Sequence, residues 1–325
     1  MSARSTRIAV LLLGCALAAA AAQAQQAAYP ARPVRLILPF PPGGSTDLLG
    51  RSLAEKLGAQ LGQPVVPENR PGAGGNLGAE VAARAAPDGH TIVLCAPSLA
   101  ISPSLYAKLN YDPLRDLQPI ALVATIPNLF VVHPSVPARS LAELAQFARD
   151  NPGRLNFGTG GPGTSNQLAS DMFRSLTKTN IVQVPYKGAE TAMVALLAGQ
   201  VQMVVIGTPA AATHVKSGKL RALAVLGRER YPDLPDVPTA AESGMPGFEV
   251  DTWYGVLAPA GVPREIVARL NAELTKAMQA KDMRDRLATM GIQPLTSTPG
   301  EFGDFFKAEV LKWGKVVREA GARVE

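Results

Sequence analysis

Two stretches of this chain follow one plan. Residues 36–57, "LILPFPPGGSTDLLGRSLAEKL", run from an apolar strand through a Gly/Pro-rich turn and a Ser-Thr pair into an amphipathic helix. Residues 155–176, "LNFGTGGPGTSNQLASDMFRSL", do the same with a Thr-Ser pair. A strand that turns tightly into a helix lays that helix on its own sheet. Successive units of this kind pair their strands in parallel through right-handed crossovers. With 325 residues, 47% of them hydrophobic, the chain has room for roughly two such domains of ~150 residues. Aromatics make up 5%, and there are 30 Gly and 28 Pro, which suits an α/β protein with many tight turns and excludes a coiled coil.

The rest of the chain extends the pattern. Val34–Leu38, Val65-Val66 and Thr91–Cys95 read as strands, separated by helical spacing at Leu48, Leu49, Leu53, Leu57 and Leu61 and by the glycine loop "ENRPGAGGNLGA" (68–79). The run "PIALVATIPNLFVVH" (119–133) is too long for one ordinary strand and is interrupted by Pro127. It is either a strand that bends from one sheet into a second or a long edge strand. Leu155–Phe157, Ile181–Val184, Val201–Ile206 and Leu220–Leu226 supply a second set of strands. "DTWYGVLAPAGVP" (251–263) reads as a return crossing, and 263–279, 281–290 and 299–321 as helices. The expected organisation is a first α/β lobe over 29–125 and 252–325, with a second lobe, 126–251, inserted into it. A cleft between two lobes is a common ligand site.

The glycine loops can be read in two ways. Each can be a tight turn into a capped helix, with Ser45-Thr46 and Thr164-Ser165 near the N-cap. As a pair, they can also present two helix N-termini, with free amides and positive dipole ends, to one anionic ligand. Gly158, Gly160 and Gly163 also match G-x-G-x-x-G, but a dinucleotide site wants an acid at the end of the next strand. Here that strand leads into Pro185-Tyr186-Lys187, and Pro162 within the motif cannot donate an amide. No Walker A sequence is present.

Arg4 and Arg7, the apolar run from Ile8 to Ala22 and the Ala22-Gln23-Ala24 cleavage pattern read as a signal peptide over 1–24. The mature protein then starts near Gln25 in the periplasm. The alternative is a lipoprotein box ending at Cys15. Loss of Arg4 and Arg7 lowers the formal net charge from +6 to +4. The remaining charges are scattered without interleaved aromatics, which argues against a nucleic-acid partner. Cys95, left alone after cleavage, sits in an apolar strand and reads as a core thiol. His90, His133 and His214 have no ligand-type neighbours at metal spacing, so neither a metal nor a cofactor is expected. No nucleophile elbow exists. Asp47, in a helix's first turn, suits a structural or ligand-orienting role better than a general base. The residues point to binding without turnover.

The motifs "YPARPVRLILPFPPGGSTDLLGR" (29–51), "ENRPGAGGNLGA", "PDGHTIVL" (87–94), "NFGTGGPGTSNQLASDMF" (156–173), "VPYKGAETAMVALLAGQVQMVV" (184–205) and "WYGVLAPAGVP" (253–263) resemble the Bug-type solute receptors. These are the extracytoplasmic binding proteins of tripartite tricarboxylate transporters. The resemblance covers nearly the full mature length. It implies a two-lobed periplasmic-binding-protein (Venus-flytrap) fold, type II-like, with two crossing strands. It also implies a monomer that captures a small organic carboxylate and delivers it to membrane transporter subunits. The ligand-binding positions it implies are Phe40, Gly43, Gly44, Ser45, Thr46, Asp47 and Ser98 in the first lobe. In the second lobe they are Thr159, Gly160, Gly163, Thr164, Ser165, Gln167, Tyr186 and Lys187. Many members carry His at the position of Gln167 and acids at those of Gln202 and near 206–208, departures that suggest a less polar distal group on the ligand. The same fold can also serve as a ligand-presenting sensor. An exported enzyme using Asp47 or Lys187 is the remaining alternative.

Overall fold

The computed structural model describes residues 29–161, 164–186 and 188–321. The expected signal segment with Arg4, Arg7 and Cys15, and the site candidates Gly163 and Lys187, lie outside the described residues. In chain order the first elements are β1 (Val34–Leu38), α1 (Ser45–Leu61), β2 (Val65–Asn69), α2 (Asn76–Ala83), β3 (Thr91–Cys95), α3 (Pro97–Leu105), β4 (Leu117–Ile126) and β5 (Asn128–Val132). Next come α4 (Leu141–Asp150), β6 (Asn156–Thr159), α5 (Ser165–Thr177), β7 (Val182–Pro185), α6 (Ala189–Leu197), β8 (Met203–Gly207), α7 (Thr208–Lys216) and β9 (Arg221–Val225). The chain then returns through β10 (Thr252–Pro259), α8 (Arg264–Gln279), α9 (Lys281–Thr289), β11 (Gln293–Pro294) and α10 (Pro299–Ala320).

The strands form two sheets, ordered β11-β4-β10-β3-β1-β2 and β7-β6-β8-β5-β9. Within them the arrangement repeats. β1 pairs in parallel with β2 and β3, as β6 does with β7 and β8. An antiparallel strand follows in each sheet, β10 in the first and β5 in the second. That strand is the one arriving from the other half of the chain. Of the two readings of 119–133, the bend is the one found. β4 ends at Ile126 in the first sheet, and after Pro127 β5 starts at Asn128 in the second.

The two crossings lie side by side. Thr252 pairs with Ile126 in the ladder, and Asn128 Nδ2 donates to Val250 O at 2.7 Å. The Pro127 carbonyl accepts from Thr208 N at 2.8 Å and Thr208 Oγ1 at 2.6 Å. The bend therefore leaves few polar groups unpaired, as buried backbone requires.

Helical spacing places Leu49, Leu53 and Leu57 of α1 fully inside against the first sheet. Each contributes ~1.5–3 kcal/mol of transfer free energy. The helix stops at Gly62, whose φ of 71° is left-handed. The second sheet packs on Phe130, Phe157, Phe173 and Phe248, a contiguous aromatic cluster. α10 packs on α3, β4 and α5, elements of both halves. Its Glu309 Oε2 accepts from Trp253 Nε1 and Trp313 Nε1, both at 2.8 Å. Cys95 is buried and its thiol donates to Gly255 O at 3.1 Å; burial pushes its pKa far up. No described helix is long and apolar enough to cross a membrane.

Candidate functional site

A cleft of about 390 Å³ opens between the two sheets. The crossing strands contribute Asn128, Thr252 and Tyr254 to its lining.

The first jaw is the loop from β1 to α1. Gly43 has φ of 91°, a conformation that costs glycine little. Asn69, at the end of β2, reaches back to donate from Nδ2 to Phe40 O (3.0 Å) and to Asp47 Oδ1 (2.9 Å). Asp47 Oδ2 accepts from Gly43 N (3.0 Å) and from Arg51 Nε (3.0 Å). The Arg51 bond first, then those from Asn69 and Gly43, hold the Asp47 carboxyl down to about 2 despite its burial. Asp47 thus ties the loop to its own helix and to β2, and its carboxylate does not line the cleft. Phe40, Ser45 and Thr46 do. Ser45 Oγ and the Tyr254 hydroxyl lie 2.7 Å apart in a hydrogen bond that either can donate. The N-cap residue is Gly44, with no side-chain cap, so Ser45 and Thr46 stand one step inside the helix rather than at the cap.

The second jaw is the loop from β6 to α5, where Thr164 is the N-cap and accepts from Gln167 N. Thr164, Ser165 and Asn166 line the cleft. Asn166 Oδ1 accepts from Gly160 N at 3.0 Å, which fixes the amide's orientation. Its Nδ2 is buried and has no partner among the described residues, so it is a donor available to a ligand. The glycines here serve packing. A Cβ on Gly158 would stand 3.1 Å from Val201 and Val204. One on Gly160 would stand 3.1 Å from Ala189 N and 3.2 Å from the Asn166 side chain.

Three further helices start at the same cleft: α3 with Pro97 and Ser98, α6 with Ala189 and Glu190, and α7 with Gly207, Pro209 and Ala210. Like α1, none of the three has a side-chain cap. Five helix N-termini therefore meet there, four of them uncapped. Their free amides and positive dipole ends favour an anion. Among the described lining residues there is no Lys, Arg or His, and Glu190 is the one charged side chain. Hydroxyls of Ser45, Thr46, Ser98, Thr164, Ser165, Thr252 and Tyr254 complete a neutral hydrogen-bonding wall over an apolar floor of Ile126, Val205 and Ile206.

Of the expected positions, Phe40, Ser45, Thr46, Ser98, Thr164 and Ser165 line the cleft. The others do not. Gly43 and Gly44 shape the turn. Thr159 is buried in β6, and its carbonyl accepts from Tyr186 N at 2.8 Å. Gly160 lies against the Asn166 side chain. Tyr186 packs on the apolar cluster around Ala192 and Leu196. Gln167 donates to Asp171 Oδ2 at 3.3 Å, along α5. Gln202, a second departure from the Bug pattern, caps the Asn156 amide at 2.9 Å and also stays outside the cleft. At 206–208, Ile206 and Gly207 face the cleft, whereas Thr208 turns to Pro127. Sequence reasoning missed Asn128, Asn166, Glu190, Thr252 and Tyr254. The signal for Asn166 was its place two residues after the capping threonine. No described group of three or more His, Cys, Asp or Glu could hold a metal.

Comparison with known proteins identifies the family and the fold. Residues 49–322 match the model of the tripartite tricarboxylate transporter family receptor. The chain is 39% identical over 320 residues to protein BugT of Bordetella pertussis, covering 98% of each. Its fold superposes on R. palustris Rpa4515, solved with adipate, with a TM-score of 0.79 and 34% identity over 91% of this chain and all of that one. The periplasmic binding protein BugD gives a TM-score of 0.77 at 35% identity, again over 91% of this chain and all of the other.

Proposed function

This chain belongs to the tripartite tricarboxylate transporter receptor family, and from that premise we propose that it captures a small organic carboxylate in the cleft and presents it to the membrane subunits of such a transporter. The observation that carries this reading is the convergence of five helix N-termini on a cleft whose described lining holds no basic side chain. Amide dipoles, hydroxyls and Asn166 Nδ2 together can satisfy a carboxylate's lone pairs without an ion pair. Adipate in the R. palustris relative is such a ligand.

On this reading Ser45, Thr46, Thr164, Ser165 and Asn166 hold the carboxylate from opposite sides, while Ser98, Asn128, Thr252 and Tyr254 close the remaining wall. The protein is a periplasmic monomer, exported through the signal segment and cleaved near Ala24. Its lobes are 29–125 with 252–325, and 126–251. The test uses protein purified under denaturing conditions and refolded free of bound ligand, followed by thermal-shift and calorimetric screens of mono- and dicarboxylates. A stoichiometric carboxylate complex with no chemical change in the ligand is expected. A panel in which no carboxylate binds, while a ligand of another class does, refutes it.

A further inference from the structure

The helix α9 is followed by Met290 and Gly291. Gly291 N donates to Ala288 O and Ile292 N to Leu287 O, both at 2.9 Å, and Gly291 has φ of 63°. A left-handed glycine just past a helix is an ordinary helix stop. Its neighbour is less ordinary. An added Cβ at 291 would stand 1.8 Å from Cγ, 2.4 Å from Cβ and 3.2 Å from Cδ of Pro209. Gly291 belongs to the half with the first sheet, and Pro209, in the first turn of α7, to the half with the second. Met290, Pro209 and Ala210 all line the cleft, so the two halves touch at its wall.

Neither partner can turn aside. Glycine has no side chain, and the proline ring is closed onto its own backbone. Both backbones are anchored. Leu287 and Ile292 are buried in the core of the first half, and Leu295 N donates to Val123 O of β4 at 2.8 Å. Thr208, fully buried, donates from its amide and its hydroxyl to the Pro127 carbonyl, and Ala211 is buried in the core of the second half. The contact therefore fixes how near the two halves stand on this flank.

We propose that Gly291 and Pro209 form a stop that sets the separation of the two jaws, which makes Gly291 a positioning residue for the cleft. The inference goes beyond the carboxylate reading and needs only that a ligand is held between the halves. Carbon atoms in contact stand about 3.5–4.0 Å apart. A Cβ placed at 1.8 Å from Pro209 Cγ reaches that distance only if the halves part by about 2 Å. Hydrogen bonds span about 2.7–3.2 Å, so a shift of that size breaks those that one jaw makes to a ligand held by the other.

Spin labels at Ala59→Cys of α1 and Val194→Cys of α6, both exposed positions, report the separation by pulsed electron resonance, and the buried Cys95 thiol stays unlabelled. Adipate is the binding probe, by calorimetry. Gly291→Ala and Gly291→Asn are each expected to lengthen the distance between the labels and to weaken adipate binding about tenfold or more. Asn tolerates the left-handed conformation, so backbone strain alone would leave Gly291→Asn close to wild type. Pro209→Gly removes all three opposing ring atoms. Added to either variant, it is expected to return distance and affinity to those of Pro209→Gly alone. Melting curves confirm that each variant folds. Distances unchanged from wild type overturn the proposal, as does a loss that Pro209→Gly does not restore, or a longer distance with adipate affinity unaltered. If adipate binds none of these proteins, that result counts against the carboxylate reading, and the distances measured without ligand decide the stop by the same criteria.

Discussion

Replacing Asp47 with Asn removes a charge and almost no volume. The side chain is 4% exposed and receives three donors, Gly43 N, Arg51 Nε and Asn69 Nδ2, at 2.9–3.0 Å. An amide offers one acceptor oxygen and turns an NH2 toward at least one of these donors. Leaving a buried donor unmatched costs about 1–3 kcal/mol. The carboxyl's pKa gives a second route to the magnitude. It falls from 3.8 to about 2, with Arg51 as the leading cause. Each pH unit is worth about 1.4 kcal/mol. Because the Arg51 side chain is 50% exposed, solvent screens the pair and the expected cost is about 1–2 kcal/mol. For a chain of this size that lowers the melting temperature by roughly 2–6 °C. A depressed folded-state pKa contributes stability that is complete above the unfolded value and is lost as pH falls through the folded one. The gap in melting temperature between wild type and Asp47→Asn is therefore constant from pH 5 to 8 and narrows below pH 4. Ligand affinity falls as well, because the Phe40–Thr46 loop loses its tie to β2. Scanning fluorimetry across pH, with calorimetry at pH 7.5, reads both effects. Lost binding with an unchanged melting temperature would show that the carboxylate meets the ligand directly. A gap that persists undiminished at pH 3 would show that its charge is not what stabilises the loop.

Two further perturbations address the crossing strands. Asp251 has its carboxyl pushed up to about 7, chiefly by burial, with Lys312 opposing, and its Oδ1 lacks a partner. A raised carboxyl pKa penalises the folded state increasingly as pH rises from about 4 towards 7, so Asp251→Asn is expected to raise the melting temperature at pH 8. The gain, about 2–6 °C for an effect on the order of 1–2 kcal/mol, fades as pH approaches 4. A pH-independent gain would refute the ionisation argument. Gly255 on β10 leaves room for Phe302, and a Cβ there would fall 2.1 Å from Phe302 Cζ. Gly255→Ala therefore overpacks the contact with α10 and costs about 1–3 kcal/mol; a melting temperature within 1 °C of wild type would contradict this packing.

Much of the fold was legible because its signals are local. Leucines at helical spacing, glycine turns and apolar runs mark α1, α5 and most strands wherever period and punctuation agree. α3 escaped because "PSLAISPSL" has proline at 97 and 103 and reads as loop. Pro97, however, sits in the first turn, where its missing N–H costs nothing. β11, two residues long, carries no periodicity at all. The two jaws were legible as strand–turn–helix units, yet their details were not. A residue's place around a helix changes by about 100° per step, so Asn166 points into the cleft while its neighbour Gln167 runs along α5. The hinge-side wall was invisible for another reason. Tyr254 meets Ser45 across 209 residues of sequence, and Asn128 reaches Val250 across 122. Such contacts follow from sheet order, which becomes apparent only once the two crossings are laid side by side.

The lack of a described basic side chain in the cleft bears on how such a site works. A lysine or arginine on one lobe would hold an anion with that lobe alone, whatever the other lobe did. Here the favourable field is distributed. α1 and α3 belong to the half with the first sheet, and α5 and α7 to the half with the second. No single helix end offers more than about half a unit charge, so an anion is well held only where ends from both halves reach it. Affinity is then greatest for the arrangement in which the halves approach, and it drops when they part and water replaces the amides. A ligand can shift an equilibrium only by its difference in affinity for the two states, and this division of the field between the halves maximises that difference. The braces that stiffen each jaw, Asp47 with Asn69 in one and Asn166 with Gly160 in the other, keep each set of donors in place.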